Sequence, residues 1–312
     1  MSHRVLAVVL GSALVVGCGG HEPTGQRAAT PTAAHRAPAI VGAPGRLVGI
    51  GGRRSLFVHC VGAGGPTVVL EAGFGTDTVS WEDVQPQLGR TTRTCAYDRA
   101  GIGNSVALPG VHDARDEIDD LKRLVDNAHI AAPYVLVGHS YGGLLARLFA
   151  RAHPAQVAGI VLVDAMGRDQ TRRTLAVWPR SQLPAVRRTQ ATPVRDGVDL
   201  AAGEALASRI SSLGDVPLVV ITAGSESWEG APPRLARALD RTWTTMQDEL
   251  AALSPDHVHV VALRSDHFVQ GSNGQPLVVI RAVRAVVAAA RAGTHLPPCA
   301  RLFRGSDVRC RD

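Results

Sequence analysis

The 312-residue sequence predicts an α/β fold in which helices cover both faces of a mostly parallel, eight-stranded sheet. Three observations carry that expectation. From about residue 46 onward, short apolar runs alternate with helical patterns. The runs are rich in Val, Ile and Leu and bounded by Gly or Pro, as strands buried on both faces are. No segment repeats at a fixed period, which argues against a solenoid or propeller.

The N-terminus reads as a targeting segment, residues 1–17. Arg4 supplies positive charge and Val5 to Val16 form an almost wholly apolar run of 12 residues. Such a run is too short to span a bilayer and suits the core of a signal peptide. It ends Val15-Val16-Gly17-Cys18, which resembles the lipobox of bacterial lipoproteins. That resemblance implies lipidation at Cys18, a membrane partner through the anchor, and an exported envelope protein. The plainer alternative is an ordinary cleaved signal with a chance cysteine. Residues 18–45, rich in Ala, Pro, Thr, Gly and His, read as a flexible tether.

The predicted strands follow in order: Leu47–Gly51, Leu56–Val61, Val68–Glu71, Thr94–Tyr97, Tyr134–Val137, Ile160–Val163, Leu218–Thr222 and Val258–Leu263. Turn residues between the first two predict an edge hairpin. Helices are predicted over Asp116–Asn127, Leu144–Ala152, Arg234–Leu253 and Leu277–Ala292. In the first, Ile118, Leu121, Leu124 and Val125 recur at three- and four-residue spacing and form one apolar face. The domain is therefore expected over 46–293. Residues of about 166–214 interrupt the rhythm and read as a small lid above the strand C-termini, where open α/β sheets bind ligands. Its Arg168, Arg172, Arg173, Arg180, Arg187, Arg188 and Arg195 either meet anionic groups or form a solvated charged face.

Composition narrows the function class. The chain is 45% hydrophobic and 19% charged, which leaves room for one large core. Its formal net charge is +6, and Lys122 is the only lysine. Aromatics are 4%, and no basic stripe interleaves with them, so nucleic acid is not an expected partner. Apart from Cys18, four cysteines remain, which an exported chain can pair in three ways. The local pair Cys299–Cys310 would staple a C-terminal tail, residues 294–312, and leave Cys60 to pair with Cys95. No Cys/His cluster has zinc-site spacing, and neither metal nor cofactor is expected.

The chemistry lies in Gly138-His139-Ser140-Tyr141-Gly142, a G-x-S-x-G match. A predicted strand precedes it and a predicted helix follows. Only a sharp turn lifts a serine hydroxyl out at the top of the sheet, and glycines flank it because side chains would clash there.

With these residues in place the chain resembles the α/β-hydrolase superfamily from about Leu47 to Ala292. Three further blocks stand in family order. Leu70-Glu71-Ala72-Gly73-Phe74-Gly75 resembles the loop that supplies an oxyanion donor. Tyr97-Asp98-Arg99-Ala100-Gly101-Ile102-Gly103-Asn104-Ser105 resembles the D-x-x-G-x-G-x-S block. Ser265-Asp266-His267-Phe268 resembles the late loop that bears the catalytic histidine.

The resemblance implies Ser140 as nucleophile, His267 as base, and an oxyanion hole from the backbone N–H groups of Phe74 and Tyr141. The acid is expected at Asp164, at the tip of the strand ending Val161-Leu162-Val163, with Glu226 as the alternative after the next strand. Where the family often has His-Gly before its oxyanion donor, Ala72-Gly73 stands instead, without the histidine that often orders that loop. Asp98 is expected to pin its own turn through Arg99 or backbone N–H groups. The expected function is hydrolysis of a small ester or lipid-like acyl substrate through an acyl-enzyme. The alternative is a surface-anchored binding protein of the same fold without catalysis.

Overall fold

The computed structural model describes residues 45–107, 110–184, 197–224, 228 and 231–311. Its strands are β1 (Arg46–Gly51), β2 (Arg54–Val61), β3 (Thr67–Glu71), β4 (Thr94–Tyr97), β5 (Tyr134–His139), β6 (Val157–Val163), β7 (Leu218–Ala223), β8 (His257–Ala262) and β9 (Val308–Arg311). They form one sheet in the order β1-β2-β4-β3-β5-β6-β7-β8-β9. The run from β4 to β8 is parallel throughout. Antiparallel strands close both edges: the β1–β2 hairpin on one side and β9 on the other.

β3, β4, β5 and β7 are buried at every position because both of their faces are covered. Leu136 belongs to a cluster with Leu121, Leu124, Leu144 and Phe149. Its neighbours Val135 and Val137 belong to the opposite cluster, with Val279, Val283 and Val286. Adjacent side chains of a strand point to opposite faces, so one continuous run serves two cores. On the first face lie α2 (Ala114–Asn127) and α3 (Tyr141–Ala152), on the second α7 (Pro276–Ala292). Asp113 caps α2 by accepting from the N–H groups of Arg115 and Asp116, while Asp116 accepts from the Asp113 N–H in return. The predicted face Ile118, Leu121, Leu124 and Val125 is buried.

Among the described residues the remaining α-helices are α1 (Gln85–Leu88), α4 (Gln170–Val177), α5 (Leu200–Ala207), α6 (Pro233–Ala251) and α8 (Cys299–Leu302). Both α4 and α5 fall within the expected lid, whose residues 185–196 lie outside the described residues. Several lid arginines are engaged locally. Arg168 donates to the Ser208 carbonyl, Arg172 pairs with Asp169, and Arg173 pairs with Glu249 at 2.6 Å. Arg187, Arg188 and Arg195 lie outside the described residues.

The sheet has one strand more than the eight expected. Val308-Arg309-Cys310-Arg311 is too short and too charged to read as a strand alone. It pairs with the edge of β8, where Val308 and Cys310 pack on the core. Arg311 forks onto both oxygens of Asp248 at 2.8 Å each. Disulfides join Cys299 to Cys310 and Cys60 to Cys95. Such bonds persist in oxidising compartments, which points to an exported protein. Among the described residues no helix is long and apolar enough to cross a membrane.

Candidate active site

β5 ends at His139 and α3 begins at Tyr141, so Ser140 alone makes the turn between them. Its backbone sits at φ 53°, ψ −120°, a region that costs a non-glycine residue on the order of 1–3 kcal/mol. Glycines make the turn possible. A Cβ on Gly138 would lie 2.4 Å from the Gly142 carbonyl oxygen, and one on Gly142 would lie 2.3 Å from that of Glu71. A Cβ on Gly143 would lie 2.4 Å from that of Ala165. The turn is thus wedged between β3 and the loop after β6.

The Ser140 carbonyl accepts from the N–H groups of Gly143 (3.0 Å) and Met166 (2.9 Å). A trans peptide is planar, so holding this oxygen turns the Tyr141 N–H to the opposite side. The Tyr141 side chain is buried, and its hydroxyl donates to Glu117 Oε2 at 2.5 Å. The Phe74 ring meets the Tyr141 ring edge-on at 5.5 Å. The two residues expected to supply oxyanion donors are therefore in contact.

His267 follows β8, on the loop before α7. Its Nδ1–H donates to Asp164 Oδ2 at 2.6 Å; a carboxylate can only accept. Asp164 is fully buried at the tip of β6, with φ 41°. Its other oxygen, Oδ1, accepts from the Ala223 N–H (2.9 Å) and from Trp243 Nε1 (2.8 Å). This pairing fixes the imidazole tautomer, leaving Nε2 of His267 free of that proton. The Asp164 and His267 side chains are 0% and 18% exposed, so the carboxylate is sheltered while the ring reaches solvent. The alternative acid, Glu226, lies outside the described residues.

His139 is buried beneath this loop. Its Nε2–H donates to the His267 carbonyl at 2.9 Å, and its ring lies 4.6 Å from the His267 ring. Burial pushes its imidazole down to about 3, so it stays neutral and structural. Asp98 pins its turn through backbone N–H groups: Oδ1 accepts from Thr78 and Oδ2 from Asn104. Arg99 turns elsewhere, toward the carbonyls of Ala72 and Gly73.

Sequence reasoning missed Trp243 and the buried network of Glu71, Arg99 and Glu117. Trp243 sits on the predicted helix α6 with no motif around it. Arg99 lies inside a quoted block, and its rank among 33 basic residues gave no signal of burial.

A second chain has triad-like bonding: Thr222 Oγ1 lies 2.7 Å from His259 Nε2, and His259 Nδ1 lies 3.0 Å from Asp248. Thr222 and His259 are both 2% exposed, so these bonds tie β7, β8 and α6 together within the protein. Among the described residues no group of His, Cys, Asp or Glu is arranged to hold a metal ion.

Comparison with known proteins places these features in context. The sequence profile described as "alpha/beta hydrolase fold" matches residues 66–229. "Uncharacterized protein YqjL" of Bacillus subtilis (strain 168) is 26% identical over 232 residues, covering 74% of this chain and 87% of that one. A pimeloyl-[acyl-carrier protein] methyl ester esterase of Chromobacterium violaceum is 38% identical over 133 residues, 42% of this chain and 48% of that one. Several other relatives are matched over less than half of their own length. Among solved structures, a thermophilic esterase from Thermogutta terrifontis has a TM-score of 0.55 at 22% identity, covering 80% of this chain and 99% of that one. The haloalkane dehalogenase DatA from Agrobacterium tumefaciens C58 has a TM-score of 0.57 at 17% identity, with 80% and 98% covered. At such identities the likeness is one of fold.

Proposed function

The chain belongs to the alpha/beta hydrolase fold family and is a hydrolase, and on that premise we propose that it cleaves a carboxylic ester, or a related acyl substrate, through an acyl-enzyme on Ser140. The observation that carries this reading is the paired His267 and Asp164 at the sheet edge where Ser140 makes its strained turn.

In this mechanism Ser140 Oγ attacks the carbonyl carbon as His267 Nε2 takes its proton. The carbonyl oxygen becomes an oxyanion held by the N–H groups of Phe74 and Tyr141. The alcohol leaves with the proton from His267. Water then attacks the acyl-enzyme, giving its proton to His267, and the acid is released as Ser140 regains a proton. Asp164 stays ionised and stabilises the imidazolium at each stage. A halide-displacing route of the dehalogenase kind uses a carboxylate nucleophile, and a serine stands at that turn here.

The same reading extends to location. Two disulfides support export. We propose that residues 1–17 direct it and that lipidated Cys18 anchors the enzyme, through the 18–45 tether, at the bacterial envelope membrane. These residues lie outside the described ones.

A fluorophosphonate probe tests the chemistry. Wild-type protein should be labelled and Ser140→Ala should not. An unlabelled wild type sinks the serine-hydrolase reading, and labelling that survives Ser140→Ala sinks the nucleophile. Full membrane association of Cys18→Ala would overturn the anchor.

A further inference from the structure

Beneath the loop Ala72–Phe74 lies a charge that the proposed reaction does not use. Arg99 is 2% exposed, and a guanidinium so far from water must be paired. Two carboxylates do this: Glu71 Oε1 lies 3.2 Å from Nη1, and Glu117 Oε1 lies 3.3 Å from Nε. Tyr97 donates its hydroxyl to the second oxygen of Glu71, as Tyr141 does to that of Glu117. The guanidinium also lies over the Tyr141 ring, 5.4 Å from its centroid.

The cation is therefore clamped, and it has donors to spare. Nη1 donates to the Ala72 carbonyl at 2.6 Å and Nη2 to the Gly73 carbonyl at 2.7 Å. These bonds are short, as charge-assisted bonds are. The Gly73 carbonyl belongs to the same peptide unit as the Phe74 N–H. In a planar trans peptide the two point in opposite directions. Drawing the oxygen down onto Arg99 aims the N–H up, away from the buried network, and the bond polarises that N–H further.

We propose that Arg99 is the positioning residue of the oxyanion hole: its fork onto the Ala72 and Gly73 carbonyls sets the plane of the Gly73–Phe74 peptide and thereby aims the Phe74 N–H at the developing oxyanion. This rests on the reading of Ser140 as nucleophile. It also supplies what the sequence lacks at this loop, since Ala72 stands where the family often has an ordering histidine. An imidazole cannot be added beside Gly73 itself, where a Cβ would lie 2.7 Å from His139 Nδ1. Order comes instead from Arg99 below the loop, joined by Thr76 within it, whose hydroxyl and N–H also donate to the Gly73 carbonyl at 3.0 and 3.3 Å.

Arg99→Lys separates positioning from packing. Lysine keeps the positive charge between Glu71 and Glu117 but cannot fork onto two carbonyls. With p-nitrophenyl acetate, kcat should fall on the order of 10- to 100-fold, below the 10²–10³-fold seen when a whole oxyanion donor is removed. KM should stay within about threefold, because the interaction strengthens only in the transition state. Affinity for a boronic acid, which becomes a tetrahedral anion on the serine, should fall by the same factor as kcat. A folded Arg99→Lys with wild-type kcat and boronate affinity overturns the proposal. If Arg99→Lys does not fold, a crystal structure of the wild-type protein with the boronic acid decides. A boron–oxygen group within hydrogen-bonding distance of the Phe74 N–H, above an intact Arg99 fork, supports the proposal. A boronate on Ser140 whose oxygens avoid Phe74, or a Gly73 carbonyl turned off Arg99, overturns it. A boronate that does not bond to Ser140 overturns the serine-hydrolase reading itself, a distinct failure.

Discussion

His267 and Asp164 are 103 residues apart in the chain, yet Nδ1 of one lies 2.6 Å from Oδ2 of the other. The strand order makes this meeting possible. β6, β7 and β8 are parallel neighbours, so their C-terminal ends share one edge of the sheet. Asp164 leaves the tip of β6, reaches past the end of β7, where Ala223 N–H meets it, and finds the loop after β8.

Asp164→Asn should keep the fold and lose the chemistry. The position feeds two N–H donors onto one oxygen and one onto the other. An asparagine can satisfy the first pair only by turning its NH₂ toward His267 Nδ1, which forces the wrong tautomer. Turnover of a chromogenic ester should fall on the order of 10⁴-fold. A loss below tenfold would remove Asp164 from the mechanism.

Trp243→Phe removes one donor from the buried carboxylate and leaves the Ala223 N–H in place. A hydrogen bond to a charged group is worth about 1.5–3 kcal/mol. Urea denaturation should show a loss of that order. A shift under 0.5 kcal/mol, on the order expected of a neutral surface change, would show that the bond carries nothing.

Gly142→Ala presses a methyl against the Glu71 and Ala72 carbonyl oxygens, which would lie 2.3 and 2.5 Å away. Overpacking of this kind costs about 1–3 kcal/mol. The strand end that must yield also leads into the oxyanion loop, so kcat should fall at least about tenfold, the effect of roughly 1.4 kcal/mol in the transition state. Melting temperature and turnover measured together check this; a variant that loses neither contradicts the proposed tight wedge.

Stability should respond to pH through three buried groups. Burial pushes His139 down to about 3 and His259 to about 4, from 6.5. Below about pH 6.5 the unfolded chain takes up protons that these rings refuse, so their contribution is lost as pH falls. Burial pushes Glu71 up to about 7, against the pull of Arg99. Its contribution is full below pH 4.5 and is lost as pH rises through about 7. The signs oppose one another, so variants must separate them. Between pH 4.5 and 6.5, His259→Gln should reduce the slope of stability against pH by up to about 1.4 kcal/mol per unit. Glu71→Gln should make the rise with pH steeper. Unchanged slopes in equilibrium unfolding would contradict these ionisation states.

Much of the architecture was legible because it is local. Alternating apolar runs and helical periodicity predicted the eight strands from Leu47 to Leu263 and the four longest helices. The glycine-flanked turn at Ser140 is local in part: Gly138 is constrained by the Gly142 backbone, whereas Gly142 and Gly143 are constrained by Glu71 and Ala165, which only the fold brings near. β9 was not legible. Val308-Arg309-Cys310-Arg311 becomes a strand only because β8 offers an open edge and the disulfide to Cys299 holds it there.

The sequence by itself determined the fold class, the order of the elements and the sharp turn that presents Ser140. Those follow from periodicity and, at the turn, from the glycines placed on both sides of the serine. Tertiary structure alone decided that Asp164 meets His267, that Trp243 and the Ala223 N–H hold the same carboxylate, and that Arg99 reaches the Gly73 carbonyl. A charge or hydrogen bond acts over a few ångströms, whatever the separation along the chain. Which aspartate, which tryptophan and which of the many arginines fall within that range depends on strand order and packing, and no local pattern records it.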